Sequence, residues 1–106
     1  MADVSTAPAE VQTAYRQILQ GAMTHGSETS RNLAAILLGS YNERMAGVGF
    51  VAGRFRAFDR SNQQAVLVWL DWFGAGSGRY PNDDDMDRLK VRWAEMGWDR
   101  SEPEGG

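Results

Sequence analysis

Residues 65–73 read Ala-Val-Leu-Val-Trp-Leu-Asp-Trp-Phe, apolar at eight of nine positions. At about 100° per residue, a helix built on this run carries apolar side chains on every side. Such a helix sits at the centre of a fold or lies beneath a partner, so other elements must surround it. With 42% apolar side chains in 106 residues, the chain can do this within one domain and without a metal or disulfide staple. Cysteine is absent, which excludes thiol catalysis, disulfide frameworks and thiolate metal sites.

The surrounding elements also read as helices. Pro8 suits a first helical turn, and Val11, Ala14, Tyr15, Ile18 and Ala22 follow at three- and four-residue spacing, predicting helix 1 over about 8–23. Gly26 ends it. Ser27 to Ser30 supply a new start signal ahead of Leu33, Ile36, Leu37 and Tyr41, predicting helix 2 over about 28–46. Gly39 falls inside that helix at a cost of up to about 1 kcal/mol relative to Ala, which points to close approach of a neighbouring helix. The segment 47–58, GVGFVAGRFRAF, changes to loop or short-strand language. It predicts an irregular crossover that packs Phe50, Phe55 or Phe58 onto the helices. Asp59 and Ser61 both offer caps for helix 3 over about 61–74, and Ser61 with Gln64 fits a capping box. The glycine-rich 74–78 and Tyr80-Pro81 make the next turn. Asn82 then caps helix 4, whose seam is Met86, Leu89, Trp93 and Met96, with Gly97 as its stop. The expected fold is all-α, a compact four-helix domain over 8–98 with an irregular crossover between helices 2 and 3. The polar segments 1–7 and 99–106 are expected to be disordered tails.

Charge is unevenly distributed. The net charge is −3, yet residues 1–80 hold seven bases and six acids while 81–106 hold four bases and eight acids. Asp83, Asp84 and Asp85, with Asp87 close behind, fill the first turn of helix 4, where the positive end of the helix dipole favours carboxylates. They lack the alternating ligands, central glycine and distal Glu of a calcium loop, so no metal is expected there. His25 is the lone histidine and cannot build a multi-histidine site; its place at a helix end suits a dipole contact or plain exposure. The glycines at 47, 49 and 53 lack the Gly-Lys-Ser/Thr of a phosphate loop, so no cofactor is expected. Arg54, Arg56 and Arg60 interleave with Phe55 and Phe58, a mixture used by single-strand binders and equally produced by core-facing Phe beside solvated Arg. Trp69, Trp72, Trp93 and Trp98 are of a residue type enriched at binding hot spots; they also fit a core.

Residues 30–42, Ser-Arg-Asn-Leu-Ala-Ala-Ile-Leu-Leu-Gly-Ser-Tyr-Asn, resemble a family of small proteins encoded on bacterial integrative elements and prophages. Later steps of the resemblance fall at Gly49-Phe50, Phe58-Asp59 and 65–73, so it spans about 15–97. The family's Phe-Asp-Leu crossover segment is replaced here by GFVAGRFRAF. The resemblance carries over no catalytic residue. It implies a mobile-element setting, in which small acidic domains act by occluding a host machine, as anti-CRISPR proteins do.

The functional expectation is therefore a non-enzymatic interaction protein of phage or mobile-element origin that blocks a host protein or ribonucleoprotein, such as a CRISPR-Cas effector. Arg54, Phe55, Arg56, Trp72, Asp83, Asp84 and Asp85 are the expected contact residues. The alternatives are a nucleic-acid-binding accessory using Arg54, Arg56, Arg60 and Arg79, and a hydrolase around His25. No apolar run approaches the ~18 residues of a membrane span, and the first residues lack a basic and then apolar leader. A cytoplasmic location is the corresponding expectation.

Overall fold

The computed structural model describes residues 2–24, 26–41 and 55–98. Within them the chain forms four α-helices: α1 (Ala9–Thr24), α2 (Glu28–Tyr41), α3 (Arg60–Ala75) and α4 (Asp83–Glu95). The all-α, four-helix expectation holds. The crossover between α2 and α3 lies largely outside the described residues, as do the expected extension of helix 2 to 46 and the tail 99–106.

Local signals place most helix ends. Asp59 caps α3, its side chain accepting from the Asn62 amide. Ser61, the other candidate, is already inside the helix, so the Ser61–Gln64 capping box does not form. Asn82 caps α4 by accepting from the Asp85 amide. Gly97 has a positive φ of 74° where the chain leaves α4, a conformation open to glycine at little steric cost.

Helix α1 packs against α2 and α3, and α4 packs mainly against α2 and touches α1 more lightly. Two contacts fix the parallel register of α1 and α4. The Tyr15 hydroxyl donates to Asp85 at 2.8 Å, and Arg92 Nε donates to the Ala22 carbonyl at 2.7 Å. Each partner lies seven residues further along its own helix, two turns on in both.

The helix buried on all sides is α2, not α3. Every residue from Ser30 to Leu38 is buried, and so is Ser40. Its polar members are accommodated by specific partners. Arg31 lies 5.7 Å from the Trp93 ring centroid, and the Ser40 hydroxyl donates to the Ile36 carbonyl while accepting from Trp69 Nε1. Helix α3 instead buries Ala65, Val66, Trp69 and Trp72 and leaves Leu67 and Leu70 outward, 56% and 36% exposed. The apolar run at 65–73 is thus one core face plus an exposed leucine pair, which periodicity alone could not separate.

The close helix approach is also displaced from its expected position. Among the described residues nothing lies within 4 Å of where a Cβ on Gly39 would sit. A Cβ on Gly21 of α1 would stand 2.7 Å from Leu33 Cδ1 of α2, so a side chain there would have to displace the buried Leu33.

Residues 2–7, read from composition as a disordered tail, are packed against the domain. Ala2–Asp3 (β1) pairs in parallel with Arg79–Tyr80 (β2), and Val4–Thr6 forms a 3-10 turn. Val4 and Ala7 are buried, and Gln12 Nε2 donates to the carbonyls of Ser5 and Ala7. One inward Val and a set of backbone acceptors met by a glutamine hold the segment, features that a polar composition conceals.

Candidate functional site

The N-terminus of α4 gathers the greatest concentration of acidic side chains in the sequence. Asn82 and three successive aspartates open the helix, and their carboxylates are favoured there by its unpaired amides. Consecutive residues point about 100° apart, so the three aspartates have different fates.

Asp85 turns inward and is half-buried. It accepts from the Tyr15 hydroxyl and forms an ion pair with Arg88, one turn on. The Tyr15 hydroxyl in turn accepts from the Asn82 amide at 3.3 Å, while Asn82 Nδ2 donates to Asp3 at 3.3 Å. These contacts fasten the start of α4 to α1 and to the N-terminal strand. They border a cleft of about 130 Å³ lined by Asp3, Val4, Gln12, Tyr15, Asn82 and Asp85. That volume suits a few waters, well short of the several hundred Å³ of an ordinary ligand pocket.

Asp83, Asp84 and Asp87 point outward and are exposed. Asp87 meets Lys90 at 3.5 Å, a solvated pair that contributes little to stability. Asp83 accepts a hydrogen bond from the Tyr41 hydroxyl, which first of all keeps that phenol protonated above its usual range. Lys90 Nζ lies 5.4 Å from the Tyr41 ring centroid. The result is an acidic surface on a fixed helix end. Among the described residues, no three or more His, Asp or Glu side chains converge in a way that could hold a metal ion.

The other expected contact residues fall in different places. Arg54 lies outside the described residues, as do His25 and the glycines at 47, 49 and 53. Phe55 is half-buried, edge-on to the buried Phe58 at 6.2 Å, and Arg56 is exposed. Trp72 is only 8% exposed, with the Arg79 guanidinium 5.2 Å from its ring centroid. It is a core side chain under a cation, so an accessible anchor role does not fit it. Arg79 also donates to the Trp72 carbonyl at 2.7 Å, which commits it to the fold. Arg60 is exposed at the start of α3. Sequence reasoning missed Leu67, Leu70 and Val91 as outward apolar side chains and the positioning of Asp85 by Tyr15; Met96, expected in the helix 4 seam, is 39% exposed because the helix ends at Glu95 and Met96 is only its C-terminal cap.

The Tyr15 hydroxyl titrates well above the usual phenol range. Burial is the main cause, and its hydrogen bond to the Asp85 carboxylate adds to it. The folded state therefore keeps this proton at pH values where the unfolded chain releases it, so stability falls as pH rises above about 10, by about 1.4 kcal/mol per unit. Urea unfolding between pH 9 and 11 (roughly the phenol range) should show a total loss of about 1.4 kcal/mol from this group in the wild type and a smaller loss in Tyr15→Phe. Equal losses would mean that Tyr15 is not held neutral.

Residues 12–98 match the model of a family of unknown function. No curated protein and no solved structure matches the chain. No helix among the described residues is long and apolar enough to cross a membrane.

Proposed function

The chain belongs to DUF7673, a family of unknown function, and we propose that it is a non-enzymatic interaction protein that blocks a basic surface on a host complex. The exposed carboxylates of Asp83, Asp84 and Asp87, on a helix start fixed by Tyr15, Asn82 and Asp85, carry this reading. Preorganised charge of one sign speeds encounter with a partner of the opposite sign and disfavours other partners. A surface that normally holds nucleic acid is such a partner, and covering it would inhibit without chemistry. In this proposal the protein is of phage or mobile-element origin and its target is a defence ribonucleoprotein of the CRISPR-Cas type, as the resemblance at residues 30–42 suggests.

Affinity capture from a bacterial lysate with the wild-type chain identifies the target. Asp83→Lys, Asp84→Lys and Asp87→Lys combined should then weaken binding at least tenfold; at about 0.3–1 kcal/mol of helix-dipole stabilisation each, the reversal also costs about 1–3 kcal/mol of stability, so circular dichroism must show the triple variant folded at the assay temperature. Binding that is unchanged by the triple reversal and insensitive to salt would overturn the reading. Asp85 is left intact, since its inward bonds belong to the fold. The nucleic-acid alternative retains Arg56 and Arg60 as exposed cations, while Arg79 is occupied by Trp72. It predicts a mobility shift on single-stranded nucleic acid that fades steeply with salt.

A further inference from the structure

Arg60, Gln64, Leu67, Asp71 and Gly74 recur along α3 at alternating spacings of four and three, and all are exposed. That spacing holds side chains in one stripe, mostly polar with Leu67 as its apolar member. Leu70, also outward, flanks it. Among the described residues neither Arg60 nor Asp71 has a salt-bridge partner.

The stripe is complementary to itself when reversed. Gln64 follows Arg60 by four residues and Leu67 precedes Asp71 by four, so one midpoint serves both pairs. A second copy laid antiparallel across this midpoint sets Arg60 against the other molecule's Asp71 and Leu67 against its Gln64. The two-fold axis repeats both contacts. A parallel arrangement would set arginine against arginine and aspartate against aspartate, so charge selects the antiparallel one.

We propose that the outer face of α3 is an interface between two copies of this chain. This goes beyond the blocking role and is tested without any host target. A single helix seam buries less than the roughly 800 Å² per partner of a standard interface, which places the association in the weak, transient class. A dimer would present two acidic α4 starts to one target, which raises avidity when both can engage.

Sedimentation velocity on the full chain, from about 1 μM to 1 mM, should show the mass rising from 11.7 kDa towards twice that value. Arg60→Glu alone and Asp71→Arg alone should each lower the association constant on the order of tenfold, because each turns two attractions into repulsions. An equimolar mixture of the two variants should recover association, since the reversed charges then face their opposites. Leu67→Asp should abolish it. Both charge changes suit the helix dipole at their own ends of α3, and circular dichroism of each variant confirms that lost association is not lost folding. A wild type that stays monomeric throughout, or a mixture that associates no better than either variant alone, would overturn the proposal.

Discussion

Replacing Trp69 by Ala is expected to remove about 4 kcal/mol of stability, near the middle of the range for emptying a large aromatic from a core. Trp69 is fully buried, with ring centroids of Tyr15, Trp72 and Phe73 at 5.3, 5.5 and 6.1 Å. Its Nε1 donates to the Ser40 hydroxyl at 3.1 Å, which joins α3 to the buried helix α2. Small domains have total stabilities of about 5–15 kcal/mol, so the variant would sit near the edge of folding at 25 °C. Urea unfolding followed by circular dichroism measures the loss through the midpoint. Trp69→Phe keeps most of the packing and deletes the donor, and should cost about 1–2 kcal/mol. A loss under about 1 kcal/mol for the alanine variant would remove Trp69 from the centre of the fold.

Deleting residues 2–7 is expected to cost about 3 kcal/mol, of which the burial of Val4 accounts for about 2. The remainder comes from the Asp3–Asn82 and Gln12–Ser5 hydrogen bonds, at about 0.5–1.5 kcal/mol each. Val4→Asp should reproduce most of the effect in the full-length chain, because the aspartate must leave its apolar site and lift the segment with it. Faster amide exchange at Asn82 and Arg79 in both variants would report the freed β2 end. Unchanged melting on deletion would mean that the segment only rests on the surface.

The four helices could be read from the sequence because each carries its own start or seam. Met86, Leu89 and Trp93 repeat cleanly behind an Asn cap, and Val11 to Ala22 do the same for α1. Which helix lies at the centre could not be read. Periodicity reports the apolar faces of a helix and says nothing of what covers them. Helix α2 carries Ser30, Arg31, Asn32 and Ser40, so it looks amphipathic, and its burial is possible only because Trp93, Trp69 and Ile36 offer partners from elsewhere in the fold or one turn back. The acidic α4 start was legible as a row of aspartates. Its division into outward Asp83 and Asp84 and an inward Asp85 depends on a tyrosine seventy positions earlier, beyond the reach of local spacing. Trp72 misled for a related reason: residue type suggests an anchor at a surface, while the neighbouring Arg79 closes over the ring.

The equal seventy-residue offsets of Tyr15–Asp85 and Ala22–Arg92 bear on how the chain comes off the ribosome. The first helix emerges early, but two of the bonds that hold it are made to α4. Until α4 has left the exit tunnel, Tyr15 lacks its acceptor and the strand at Ala2–Asp3 has no fixed edge to join. Contacts between distant parts of a chain form late because the intervening loop must first be closed. Nascent chains arrested before Asp83 should therefore be more protease-sensitive around Tyr15 and residues 2–7 than chains in which α4 is free to dock.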